Sequence, residues 1–178
     1  MKFQRSTITL VCVASLLTVQ QVHAQACNQP PRNPQNVSVQ IIGGAPTFTN
    51  RFCSDSGGRP GDLCNGVGDR PRMVFMLQGA GASEWRFVRM ELSVDGSSWT
   101  NPALPAGVYS DLGFSSNPAD PNRVRGWPPT SINGAGNQMT VRNDNCNAFD
   151  IHYRLVLRHE SGREEYLHPR LENKGVGD

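Results

Sequence analysis

Apolar and polar positions alternate along three stretches of this chain with the period of two that marks a strand with one buried face. Val37, Val39 and Ile41 alternate with Ser38 and Gln40. Val88, Met90, Leu92 and Val94 alternate with Arg89, Glu91 and Ser93. The longest run sets Phe149, Ile151, Tyr153, Leu155 and Leu157 against Asp150, His152, Arg154 and Arg158. Met73 to Leu77 is continuously apolar and short, which predicts a strand buried on both faces. Met139 and Val141 mark a further strand. Between Asn101 and Gly136, Val108, Tyr109, Phe114, Val124 and Trp127 stand among Pro, Asn and Gly residues, predicting loops that hold two short strands. After the first two dozen residues no segment sustains a helical period.

Turn residues separate these runs. Gly43-Gly44 ends the first strand, and Asp95-Gly96 predicts a tight hairpin turn with Trp99 beginning the return. Ser161-Gly162 predicts a second hairpin into Arg163 to Leu167. A loop centred there sets Arg158 opposite Glu165, Glu160 opposite Arg163, Leu157 opposite Tyr166 and His159 opposite Glu164. Many short strands between Gly/Pro turns predict an all-β protein, an antiparallel β-sandwich immunoglobulin-like in the loose sense, with an open barrel as the alternative.

The first residues follow a different logic. Lys2 and Arg5 precede an apolar run from Ile8 to Val19, with small residues after it, the zones of a cleavable secretory signal of bacterial appearance. The run is too short to span a bilayer, so no membrane span is expected. Cleavage fits after Ala24 or after Ala26; the second option would expose Cys27 to lipid attachment. The expected organisation is therefore a signal peptide over 1–24, an extended Pro-rich arm over 25–36 (Pro30, Pro31, Pro34) and a single β domain over 37–178, periplasmic or secreted. Removal of the leader takes Cys12 and leaves Cys27, Cys53, Cys64 and Cys146, an even set for an oxidising compartment. Four cysteines allow three pairings. The expected one joins Cys53 to Cys64 across a Gly-rich segment and Cys27 to Cys146.

Charge narrows the partners. The sequence has 17 basic and 15 acidic residues, and loss of Lys2 and Arg5 brings the mature chain to 15 of each. No basic excess remains to suggest nucleic acid. Lys174 is the only mature lysine, so ion pairs are biased toward the planar, bidentate arginine fork.

Chemistry-bearing residues are few. Asp55, Asp62 and Asp69, in the Gly-rich loop from Ser54 to Arg72, could offer oxygens to calcium, although their spacing matches no calcium loop and Asp with Gly also simply makes turns. The three mature histidines, His152, His159 and His168, lie in the last strands near Glu160, Glu164 and Glu165. In the register above, His159, Glu164 and His168 are the candidates for a metal or acid/base site, although no His-x-His pair could bind an ion from one strand. Trp85, Trp99 and Trp127 could stack on sugars if exposed, or fill the core, with Trp127 the binding candidate. A serine-hydrolase elbow, a phosphate loop and a dinucleotide fingerprint are absent, and no cofactor is implied.

From Tyr153 through Ser161-Gly162 to His168-Pro169-Arg170-Leu171-Glu172-Asn173, the chain resembles the tail of small uncharacterised bacterial secreted β-sandwich proteins. Those end in Asp-Pro-x-Ile-x-Asn after a terminal hairpin, and His168 stands here where they have aspartate. The resemblance implies the architecture and carries no activity. The expected function is an exported binding or accessory module that contacts a protein or surface ligand, with the disulfide-clipped loop as the expected contact surface. The alternative is an extracellular metal-dependent or hydrolytic enzyme built on the C-terminal His and Glu residues.

Overall fold

A computed structural model describes residues 34–53, 58–66, 69 and 71–175. The leader, Cys27, Asp55 and most of the Pro-rich arm lie outside the described residues. The fold is an all-β sandwich of two sheets with no closed barrel. In chain order the strands are β1 (Gln35–Ile42), β2 (Ala45–Phe48), β3 (Leu63–Asn65), β4 (Met73–Gln78), β5 (Trp85–Ser93), β6 (Thr130–Ile132), β7 (Gln138–Val141), β8 (Ala148–His159), β9 (Glu164–Leu167) and β10 (Arg170–Lys174). One sheet has the order β2-β1-β4-β7-β6 and the other β3-β10-β8-β5, with β9 also paired to β8. Two pairings are parallel, β1 with β4 and β3 with β10, so the sheets are mixed where antiparallel ones were expected.

The alternating rows meet between the sheets. Val37, Val39, Phe75 and Met139 of the first sheet face Leu92, Tyr153, Leu155 and Leu171 of the second, all fully buried. The Tyr153 hydroxyl donates to the Gly61 carbonyl at 2.6 Å, and burial holds the phenol well above its usual pKa, so it stays a neutral donor. β4 is buried on one face only: Met73, Phe75 and Leu77 point into the core, while Val74 and Met76 on the other face are half-buried. Gly43 and Gly44, both at positive φ, close a two-residue hairpin that carries the chain into β2, a strand no apolar period announces. Cys53 and Cys64 are joined, Cα to Cα 5.0 Å, and this pins β3 beside the loop before it. Cys146 is also disulfide-bonded.

Three further sequence expectations change. Asp95-Gly96 makes no hairpin. Asp95 instead accepts from the backbone N–H groups of Ser97 and Ser98, each at 2.9 Å, and the chain leaves the sheet there, so Trp99 lies in a loop. The segment expected to hold two short strands contains two short helices, α1 (Ala106–Asp111) and α2 (Pro121–Arg125), before β6. Val108 and Leu112 plug the core from the first. The second starts at an Asp120 cap with Pro121 in its first turn and stops at Gly126 in the left-handed region.

The third change is one of register. The β8–β9 hairpin pairs Arg158 with Glu164, Leu157 with Glu165, Val156 with Tyr166 and Leu155 with Leu167, one residue away from the expected pairing. The loop holds three residues, with the His159 amide bonded to the Arg163 carbonyl at 2.8 Å and Gly162 at φ 90. A slip of one position sends every side chain of β9 to the opposite face. Tyr166 therefore stands on the outer face of the second sheet, and Leu167 turns inward. Gly162→Ala is expected to cost about 1 kcal/mol in urea unfolding, because the added Cβ meets no atom within 4 Å and only the left-handed backbone is penalised.

Asparagines close one end of the sandwich. Asn173 on β10 accepts from Asn65 at 2.7 Å and Asn143 at 2.9 Å, and returns its own amide hydrogen to Asn143 at 2.8 Å. Asn145 donates to the carbonyls of Gly66 and Asp69 and accepts from the Gly175 amide. These four amides are all buried.

Candidate functional site

The outer face of the second sheet carries the polar half of the alternating pattern. A β-bulge in β5 between Phe87 and Arg89 resets the phase, so Phe87, Met90 and Leu92 point inward while Arg89, Glu91 and Ser93 point out. Across the ladder Glu91 lies opposite Arg154. Its carboxylate, 3% exposed, bridges two guanidiniums, Arg89 Nε at 2.6 Å and Arg154.

Each of those guanidiniums also lies on aromatic rings. Arg89 is 4.8 Å from the Trp127 ring centre, and Arg154 is 4.6 Å from Trp99 and 4.9 Å from Tyr166. Arg125 stacks on Trp127 as well, at 4.9 Å. The loop bearing Arg125 and Trp127 reaches β5 because Gly126 sits against it: the Leu92 amide bonds to the Gly126 carbonyl at 2.9 Å, and a Cβ there would come within 2.4 Å of Pro102. The result is a cleft of about 270 Å³ between the two tryptophans, floored by Glu91 and flanked by Arg89, Arg125 and Arg154. Three guanidiniums line it with one carboxylate, which pairs with Arg89 and Arg154. Stacking holds each guanidinium flat, and the donors that Glu91 does not take have the planar geometry that grips a carboxylate or other oxyanion.

A second cleft of about 330 Å³ is lined by Arg59, Asp62, Asp150, His152, His168 and Arg170 among others. His168 parts it from the first, edge-on to Trp99 at 5.3 Å and to Tyr166 at 6.3 Å. Burial pushes its imidazole below the usual histidine range, and Arg154 adds to the effect while Glu91 opposes it. Arg170 is paired with Asp150 at 3.2 Å and with Glu172 at 3.3 Å.

The residues expected to carry chemistry are dispersed. His159 bonds Glu84 at 3.1 Å and Ser161 at 2.8 Å, and it does not meet Glu164. Glu164 accepts from Arg158 and from the Tyr166 hydroxyl, and these bonds, Arg158 first, hold its carboxyl below the usual range. Asp62 is buried with both oxygens engaged, by the backbone N–H groups of Arg59 and Arg170, each at 2.8 Å. Asp69 accepts from the Gly66 amide at 3.0 Å in a turn. Among the described residues no group of three or more His, Cys, Asp or Glu side chains could hold a metal ion. Trp85 is core, whereas Trp127 stands in the cleft. Arg89, Glu91 and Arg154 were visible only as a wet strand face. For Arg125 the signal was the helix punctuation Asp120-Pro121 to Gly126, which places it one residue before the stop.

Asp95, in the turn that follows β5, is held well below the usual carboxylate range by the Ser98 and Ser97 amides first and the Ser97 and Ser93 hydroxyls next. Its contribution to stability is thus complete above the ordinary aspartate value of 3.8 and is lost as pH falls through the depressed folded value. Urea unfolding of the native chain and Asp95→Asn at a series of pH values is expected to show their largest gap above pH 4, closing as the solution is acidified. A gap independent of pH would refute the assignment.

No protein-family model matches the chain, and no curated protein matches it either. No helix among the described residues is long and apolar enough to cross a membrane.

Proposed function

We propose that the protein is exported and works outside the cytoplasm as a binding module, with the Arg–Trp cleft of the second sheet as its contact surface for a carboxylate-bearing ligand. The observation that carries this reading is the charge imbalance of the cleft, whose described lining sets Arg89, Arg125 and Arg154 against Glu91 as its one acid. A ligand carboxylate supplies the missing counter-charge, and the aromatic walls exclude water from the contact. The Cys53–Cys64 bridge, the leader-like N-terminus and the tail's resemblance to small secreted bacterial sandwich proteins support export. A binding role also fits side chains whose carboxylates and imidazoles are already committed to structural partners.

The test is a chemical-shift titration of the mature protein with citrate and D-galacturonate, using D-galactose as the uncharged control. Shifts confined to the cleft with the two acids, weakened about tenfold in Arg125→Ala, are expected. Equal response to galactose, or indifference to Arg125→Ala, would remove the proposal. Mass spectrometry of the culture medium and periplasm tests export, with a first residue of Gln25 or Cys27 expected.

A further inference from the structure

Resting on the reading of the Arg–Trp cleft as a carboxylate site, we infer that the ligand is a chain of acidic sugars that runs through both clefts of the outer face. The two hollows are neighbours on one face, parted by the contacting rings of His168 and Trp99, over which an extended ligand would pass, and His152 and Arg154, two positions apart on β8, stand on the same side of the sheet. At one end the track is cationic, with Arg125, Arg89 and Arg154. At the other it is mixed: Arg59 and Arg170 share the lining with Asp62, Asp150 and two imidazoles, and Arg170 pairs with Asp150.

That mixture selects among polyanions. A nucleic acid presents a phosphate at every step and would set one against Asp150, and two guanidiniums already occupy the Trp127 ring on which a base would stack. A glycan bearing carboxylates among many hydroxyls meets both ends. Its carboxylates take the guanidinium forks, while its hydroxyls donate to Asp150 and exchange hydrogen bonds with His152, His168 and Thr100. All the strong cations of the track are arginines, whose planar fork suits a carboxylate edge-on.

The experiment is calorimetry of the mature protein with D-galacturonate and with oligogalacturonates of increasing length, against a single-stranded oligonucleotide of similar charge. The longer oligomers are expected to bind about tenfold or more tighter than the monosaccharide, since the second cleft engages intramolecularly. Arg170→Gln is expected to remove most of that gain while leaving the monosaccharide unchanged. Arg125→Ala weakens every uronate alike. Affinity independent of length, with Arg125→Ala still effective, would overturn the two-cleft track and leave the single cleft standing. Oligonucleotide binding as tight as the longest oligogalacturonate would overturn the choice of a glycan. Failure of all uronates to bind would overturn both readings together.

Discussion

Replacing Glu91 with alanine is expected to destabilise the protein by about 2 to 3 kcal/mol, close to the cost of breaking a buried ion pair from one side. The carboxylate is 3% exposed and, among the described residues, is the acid that pairs with both Arg89 and Arg154, whose side chains are 25% and 21% exposed. Without it, two guanidiniums on neighbouring strands face each other with unsatisfied donors, and partial solvent access keeps the loss at the lower end of the buried range. Denaturant unfolding would measure it. The same variant gives a functional readout, because the vacated space invites an external carboxylate. Added acetate is expected to raise the melting temperature of Glu91→Ala more than that of the native protein, by mass action on the folded state. An unchanged melting temperature in Glu91→Ala would show that the carboxylate does not hold the two strands together.

Asn173→Ala is expected to cost about 3 to 4 kcal/mol, the largest effect foreseen for a single polar side chain here. Its carbonyl oxygen serves both Asn65 and Asn143, and its amide serves Asn143 in return, all in buried surroundings. Truncation orphans two donors and one acceptor contact at once, and an unsatisfied buried group costs about 1 to 3 kcal/mol before relaxation. Asn173→Asp separates the roles, since it keeps the acceptor but takes away the hydrogen offered to Asn143. Calorimetric melting of both variants checks the assignment, and a melting temperature for Asn173→Ala within a degree or two of the native value would refute it.

Alternation revealed the strands that face solvent on one side. β1, β5 and β8 declare themselves because burial of every second residue writes itself directly into residue type. The parallel pairings of β1 with β4 and of β3 with β10 left no such mark, since the partner of a strand is decided by packing far along the chain. The β8–β9 register escaped for a narrower reason. Gly162 serves equally in a two-residue loop or as the left-handed third residue of a longer one, and the charge pattern tolerates both, since Arg158 finds an acid at Glu164 or at Glu165. The short helices were too brief for a period to develop, although Asp120, Pro121 and Gly126 bounded one of them plainly. At the site, Arg89, Glu91 and Arg154 looked like ordinary solvated charges. Their meaning depends on Trp99 and Trp127 arriving from a loop whose path no local pattern encodes.

The position of β10 has a consequence for how the molecule is made. This late strand lies inside its sheet, between β3 and β8, and its pairing with β3 joins residues 108 positions apart. A chain emerging amino end first can close the Cys53–Cys64 ring early, since only 11 positions separate its halves. The neighbouring β3 must nevertheless wait, its outward amides unpaired, until residues 171–173 are delivered. Assembly of the second sheet is therefore a late event, and chains truncated before that segment should be more readily cut by protease than the full chain.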